Sequence, residues 1–138
     1  MANINWLRLI GGIVIGIICA GATVGAVEWI GHQIYPPPPG LDVSKPDDLA
    51  RLMDVIPVGA KVAVLIAWFV GSLVGGAVAM QIARNRIAPW IVAAFIIVGG
   101  LFSFAAIPHP LWMMMGGVAL PILAALLVVR RMRNGSLQ

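Results

Sequence analysis

The feature of this sequence that most constrains its fold is a set of long apolar runs without a charged residue. These runs lie between Arg8 and Glu28, between Lys61 and Arg84, and between Arg86 and Arg130. The chain as a whole is 61% hydrophobic and only 10% charged, whereas soluble domains carry roughly 25% charged residues. Such a surface is tolerated only in lipid, so the sequence predicts a polytopic α-helical membrane protein.

The last apolar run is too long for one membrane helix. A helix from Arg86 to Arg130 would measure ~65 Å, against ~30 Å of hydrocarbon. The sequence Ile-Pro-His-Pro at residues 107–110 interrupts the helix, because a proline disfavours the helical conformation of the residue before it. The predicted fold is therefore all-α, a single domain with four transmembrane helices. Its spans are predicted at about 7–30, 61–83, 88–106 and 111–129.

The only long polar segment, residues 35–57, separates the first two spans and starts with Tyr35 and four prolines. Prolines lack the backbone N–H and fix φ, so a stiff extended arm is expected there. A short helix should follow from Pro46, with Ser44 as its N-cap. Its apolar residues have amphipathic spacing: Leu49, Leu52, Met53 and Ile56. We expect an extracytoplasmic interfacial helix, with a moving lid as the alternative.

Lysine and arginine placement predicts the orientation of the chain. The inner side would carry Arg8, Arg84, Arg86, Arg130, Arg131 and Arg133. The other side would carry Lys45, Arg51, Lys61 and every acidic residue. Both termini are thus predicted to be cytoplasmic, in the cell inner (plasma) membrane. The formal charge of +4 fits topology signals and anionic-lipid contacts rather than nucleic-acid binding.

Small residues spaced four apart indicate close helix packing. The second span carries the longest such stripe: Ala67, Gly71, Gly75, Ala79 and Ala83. The first span has Gly12, Gly16 and Ala20, and separately Gly21 and Gly25. Small side chains let two backbones approach closely, so the stripe is predicted to contact another helix of this chain or of a neighbour. Asn3 or Asn5 is expected to cap the first helix.

Ionisable groups at the membrane midplane would indicate ion or proton transport, and no Asp, Glu, Lys, Arg or His is expected at that depth. The candidate polar cluster is Glu28, His32 and His109, which all lie near the predicted extracytoplasmic surface. Glu28 and His32 share a helix face, and with His109 they could ligate a transition metal or form a proton-sensitive cluster. The alternative is a Glu28–His32 pair where the first helix leaves the bilayer. Pro121 in the fourth span is a candidate kink or gate.

The segments Glu-Trp-Ile-Gly-His-Gln-Ile-Tyr-Pro-Pro, starting at Glu28, and Ile-Pro-His-Pro-Leu-Trp-Met, starting at Ile107, resemble family motifs. With its four spans, the chain resembles small bacterial inner-membrane proteins that have no assigned function. Two named families of similar size do not fit. Small multidrug transporters carry a glutamate in the middle of helix 1, whereas Glu28 is expected at the helix end. Fluoride channels carry membrane asparagine and a Thr-Thr-Phe-Ser type run, which are missing here.

Three functions remain open on this basis. The first is a non-enzymatic protein that acts through packing, as a homo-oligomer or a small subunit of a membrane complex. The second is a small-solute transporter or channel with a polar vestibule at Glu28, His32 and His109. The third is a metal-binding membrane protein. We expect no catalytic residues and no cofactor, and the expected partners are the lipid bilayer and other membrane proteins. The single cysteine, Cys19, is interpreted as an inert packing residue.

Overall fold

The computed structural model describes residues 5–36, 38–42 and 44–135. For residues 50 and 133–135 it describes the backbone only. This part of the chain forms five helices: α1 (Trp6–Ile34), α2 (Pro46–Val55), α3 (Val58–Ala83), α4 (Ala88–Ala106) and α5 (Leu111–Gly135). All but α2 are long and apolar enough to cross a membrane. The prediction of an all-α multi-pass protein is therefore confirmed. Because four helices cross, α1 begins and α5 ends at the same end of the bundle. We call this the termini end, and the opposite end, next to α2, the α2 end.

The first helix is longer than its predicted span. Asn5 caps it by accepting a hydrogen bond from the backbone N–H of Arg8 at 3.2 Å, whereas Asn3 lies outside the described residues. The helix continues to Ile34 and stops at Tyr35, the residue before the first proline. Glu28 therefore lies almost two turns, or ~9 Å, inside the helix. The expectation that it stands at the helix end was wrong.

The start of α2 also differs from the expectation. Lys45 occupies the N-cap position without a side-chain hydrogen bond, so the predicted Ser44 cap was wrong. Ser44 is engaged by Asp42, whose Oδ1 accepts hydrogen bonds from the Ser44 hydroxyl at 2.6 Å and from its backbone N–H at 3.0 Å. The hydroxyl bond and then the backbone bond hold the pKa of the Asp42 carboxyl below its usual range. Pro46 begins the helix because its ring favours the first helical position.

Helices α3 and α4 each contact the other three long helices, and α1 packs mainly on α3. Glycines bring α1 and α3 almost backbone to backbone. A Cβ atom on Gly12 would lie 2.9 Å from the Ala79 carbonyl oxygen, and one on Gly71 would lie 2.5 Å from Val24 Cγ2. Such separations are shorter than real Cβ contacts, so a side chain at either position would force its neighbours to move. Gly71, Gly75, Ala79 and Ala83 of the stripe therefore face α1 within the chain.

Between α1, α3 and α4 lies a core of mostly small and branched side chains. Its buried members are Leu9, Ala20, Ala79, Ala88 and Val92. On the other side of α3, α5 runs as one helix through Pro121, whose side chain is fully buried. Helix α5 is not interrupted at Pro121, so the predicted kink would be a bend within one continuous helix. The turn between α4 and α5 falls at Pro108–Pro110, where the two prolines predicted it.

Candidate functional site

A tryptophan of α3 connects the other three long helices in the half of the bundle nearer α2. Trp68 is only 8% exposed, and it lies ten residues into α3, or ~15 Å from its start. Its ring occupies space left by two glycines. A Cβ atom on Gly100 of α4 would lie 2.5 Å from the ring, and one on Gly117 of α5 would lie 2.8 Å from it. The indole therefore packs where α4 and α5 have no side chain.

The indole N–H of Trp68 donates a hydrogen bond to Glu28 Oε1 of α1, with a nitrogen–oxygen distance of 3.4 Å. An indole nitrogen is a donor only, and a buried donor needs an acceptor. Glu28 provides its acceptor, although the distance is longer than the usual 2.9–3.0 Å and indicates a weak bond. The Glu28 carboxylate consequently faces the interior of the bundle, as a site shared with His109 would require.

Aromatic rings continue from Trp68 towards the α4–α5 turn. The ring centroids of Trp68 and Phe104 are 5.7 Å apart, and those of Phe104 and His109 are 5.0 Å apart in an edge-to-face arrangement. His109 Nδ1 lies 2.6 Å from the carbonyl oxygen of Ile107. Because a carbonyl can only accept, Nδ1 carries the proton, and Nε2 is the acceptor in the neutral ring. Two side chains, Trp68 and Phe104, thus link Glu28 to His109 in series.

The structure brings together only part of the predicted polar cluster. Glu28 and His32 line one cavity of about 180 Å³, together with Leu52 and Met53 of α2 and Ile56 directly after it. His109 lines a different groove of about 360 Å³, together with Lys61 and Asp54. Met53 borders both. The described residues contain no group of three or more His, Cys, Asp and Glu side chains suited to a metal ion. Glu28, His32 and His109 therefore do not converge on one point.

No family model, curated protein or solved structure matches this chain. Its architecture is that of a small membrane protein with four apolar helices, as the resemblance to unassigned four-span proteins predicted. Its function has to be inferred from its own residues.

Sequence reasoning missed Trp68, Phe104 and Lys61. Trp68 carried a usable signal, since membrane tryptophans favour the interface and this one lies well inside an apolar run. Lys61 was interpreted only as the boundary of a span, yet it is 9% exposed and lies in the first turns of α3. Phe104 had no signal, because it is one of several aromatic residues in α4 and its neighbours are set by tertiary packing.

Two hydroxyl groups within the spans behave differently. Thr23 donates a hydrogen bond to the carbonyl oxygen of Cys19, 2.7 Å away on its own helix, as expected for hydroxyls in membrane helices. Ser72 Oγ is fully buried and has no partner among the described residues. The expected bond of a hydroxyl to its own backbone is thus present for Thr23 and missing for Ser72.

Proposed function

We propose that this protein is a non-enzymatic inner-membrane protein that acts by association, as a homo-oligomer or as a small subunit of a membrane complex. The observation that carries this proposal is the uncovered face of α1. Gly21 and Gly25 lie there, and a Cβ on either would meet no atom of a packed neighbour within 4 Å. Ala22 and Ala26 beside them are also exposed.

The two faces of α1 support this interpretation when they are compared. Gly12 and Gly16 face α3, where glycine is needed for the close approach of the helices. Gly21 and Gly25 have the same four-residue spacing but no neighbour. A small-residue pair on a lipid-facing surface lets a second helix approach closely, which is how membrane helices associate in the absence of a hydrophobic driving force. A second copy or a partner helix is the proposed occupant.

Isoleucine at position 21 or 25 is expected to weaken self-association while leaving the fold intact. The new side chain would separate the helices at the contact, at a cost of about 1–3 kcal/mol. This corresponds to a dissociation constant raised by roughly 5- to 150-fold. Native mass spectrometry in detergent, at several protein concentrations, measures the oligomer distribution, and a thermal unfolding curve checks the monomer.

Gly99→Ile is the matched control, since a Cβ on Gly99 of α4 also meets nothing within 4 Å. It should leave both the oligomer distribution and the melting curve unchanged. A wild-type protein that stays monomeric at all concentrations would exclude the homo-oligomer. The subunit form would then be tested by co-purification, in which wild type should retain a membrane partner that Gly21→Ile loses. Equal association of wild type and the Gly21→Ile and Gly25→Ile variants would contradict the proposed face.

A small-solute transporter or channel is the second candidate. It is favoured by the cavity at Glu28 and His32, which Leu52 and Met53 of α2 also line, and by the groove at Lys61 and His109. Against it, the interior of the bundle next to Glu28 is occupied by the buried Trp68 ring, which packs against Gly100 and Gly117. Ion or solute flux into proteoliposomes of wild type would favour transport over association. A metal-binding role is a third proposal, and it would require His109 to leave Phe104.

The proposed orientation places both termini in the cytoplasm. In a Cys19→Ala background, cysteine replaces Asp42 in one variant and Asn134 in another. An impermeant thiol reagent applied to intact cells should label position 42 and spare position 134, because arginines are retained on the cytoplasmic side. Lysed cells, in which both positions should react, provide the control. Labelling of position 134 alone in intact cells would reverse the proposed orientation.

A further inference from the structure

A groove between α3 and α5 at the termini end has a wall and a rim of different chemistry. Its volume is about 700 Å³. Leu73 and Ala77 of α3 and Leu127 of α5 form part of the apolar wall, and Gln81, Arg130 and Arg131 stand at the polar rim. From Leu73 to Gln81 the wall extends ~12 Å along α3. The groove therefore combines a slot for a hydrocarbon chain with two positive charges at its mouth.

Nothing in the described chain neutralises these two arginines. Both are exposed, and the one salt bridge among the described residues joins Lys45 to Asp42. The acidic residues of the chain are Glu28, Asp42, Asp47, Asp48 and Asp54. Glu28 lies in the half of α1 nearer α2, and the four aspartates lie in the segment between α1 and α3. The positive charge at the termini end thus has no acidic partner among the described residues and is available to an external anion.

We propose that this groove binds an anionic phospholipid. The phosphate would lie against Arg130 and Arg131, whose planar guanidinium groups can each donate two parallel hydrogen bonds to phosphate oxygens. The amide of Gln81 would supply a further donor. An acyl chain would follow the apolar wall between α3 and α5. Basic pockets between membrane helices on the cytoplasmic side are suited to such headgroups.

Another role for the two arginines has to be separated by experiment. Basic side chains in the last turns of a helix interact favourably with its negative C-terminal dipole. Arg130 and Arg131 lie near the C-terminal end of α5, so their removal could lower stability without any lipid being involved. The decisive measurement is therefore the selectivity for lipid headgroups, which a dipole interaction alone would not alter.

The first test is native mass spectrometry of the delipidated full-length protein in detergent, titrated with phosphatidylglycerol or with phosphatidylcholine of the same chains. Wild type should retain phosphatidylglycerol at lower lipid concentration than phosphatidylcholine. The Arg130→Gln/Arg131→Gln variant should lose about fivefold in affinity for each arginine, or roughly 25-fold in total. Its phosphatidylcholine binding should be unchanged. Equal binding of the two lipids by wild type would overturn the proposal.

The Arg84→Gln/Arg86→Gln variant is the charge-matched control, because it removes the same charge at the same end but outside the groove. It should keep the preference for phosphatidylglycerol. Ala77→Phe tests the apolar wall without changing charge, since its ring would occupy the slot, and Ala94→Phe on the exposed face of α4 is its control. Equal loss in the two arginine variants, or full binding by Ala77→Phe, would also overturn the site.

Discussion

Trp68→Ala is expected to destabilise the bundle by about 3 kcal/mol, the lower end of the range for truncating a buried tryptophan. The lower end applies because the unfolded helices stay in lipid, so the loss is one of packing rather than of transfer from water. The ring lies over Gly100 and Gly117, which have no side chains to fill the vacated space. A movement of α3 into the vacated space would also separate it from α1, against which Gly71 and Gly75 pack closely.

Unfolding of the purified protein by SDS in mixed micelles, followed by circular dichroism, measures this loss. The matched control is Trp90→Ala in α4, where the ring is 40% exposed compared with 8% for Trp68. Trp68→Phe keeps most of the packing and removes only the N–H, so it should cost about 0.6 kcal/mol, the average for a membrane hydrogen bond. Combined with Glu28→Ala in a double-mutant cycle, it isolates the Glu28 contact. Equal costs for Trp68→Ala and Trp90→Ala would show that the ring does not hold the helices together.

Gly75→Ile is expected to be the most damaging change in the small-residue stripe. A Cβ on Gly75 would lie 2.6 Å from Ala20 Cβ and 3.0 Å from the Ala20 backbone nitrogen. Backbone cannot swing aside as a flexible side chain can, so the helices must separate. The cost should reach the upper part of the range for overpacking, about 3 kcal/mol. The same SDS unfolding assay measures it.

The control for Gly75→Ile has to be chosen from the packing rather than from the sequence. Gly100 is unsuitable, although it lies outside the stripe, because the Trp68 ring lies directly against it. Gly99, its neighbour in sequence, has open space and should tolerate isoleucine. If Gly75→Ile and Gly99→Ile unfolded at the same SDS concentration, the close packing of α1 on α3 would not contribute to stability.

The number and approximate positions of the helices could be predicted from the sequence because lipid imposes a length and a composition on each span. Helix ends were less predictable. Helix α1 continues through His32 to Ile34, and α5 continues past Arg130. Hydropathy indicates where the hydrocarbon of the bilayer ends, whereas a helix ends where its backbone hydrogen bonds end. The prolines after Tyr35 end α1, and Pro108 and Pro110 separate α4 from α5.

The candidate site was less predictable, because its contacts join residues that are far apart in sequence. Glu28 could be placed on a helix face, but its partner Trp68 depends on how α1 is rotated against α3. That rotation is fixed by the glycine contacts of Gly12, Gly16, Gly71 and Gly75, whose spacing was visible in the sequence but whose pairing was not. His109 was expected at the same membrane end as Glu28, yet Phe104 and the Trp68 ring lie between them.

Met53 gives the α2 end a property that neither opening would have alone. Its side chain forms part of the wall of both the Glu28–His32 cavity and the Lys61–His109 groove. Successive residues of a helix point ~100° apart. A rotation of α2 by this angle about its own axis would remove Met53 from both walls together. A ligand that displaced Met53 from one of the two walls would therefore alter the other wall as well.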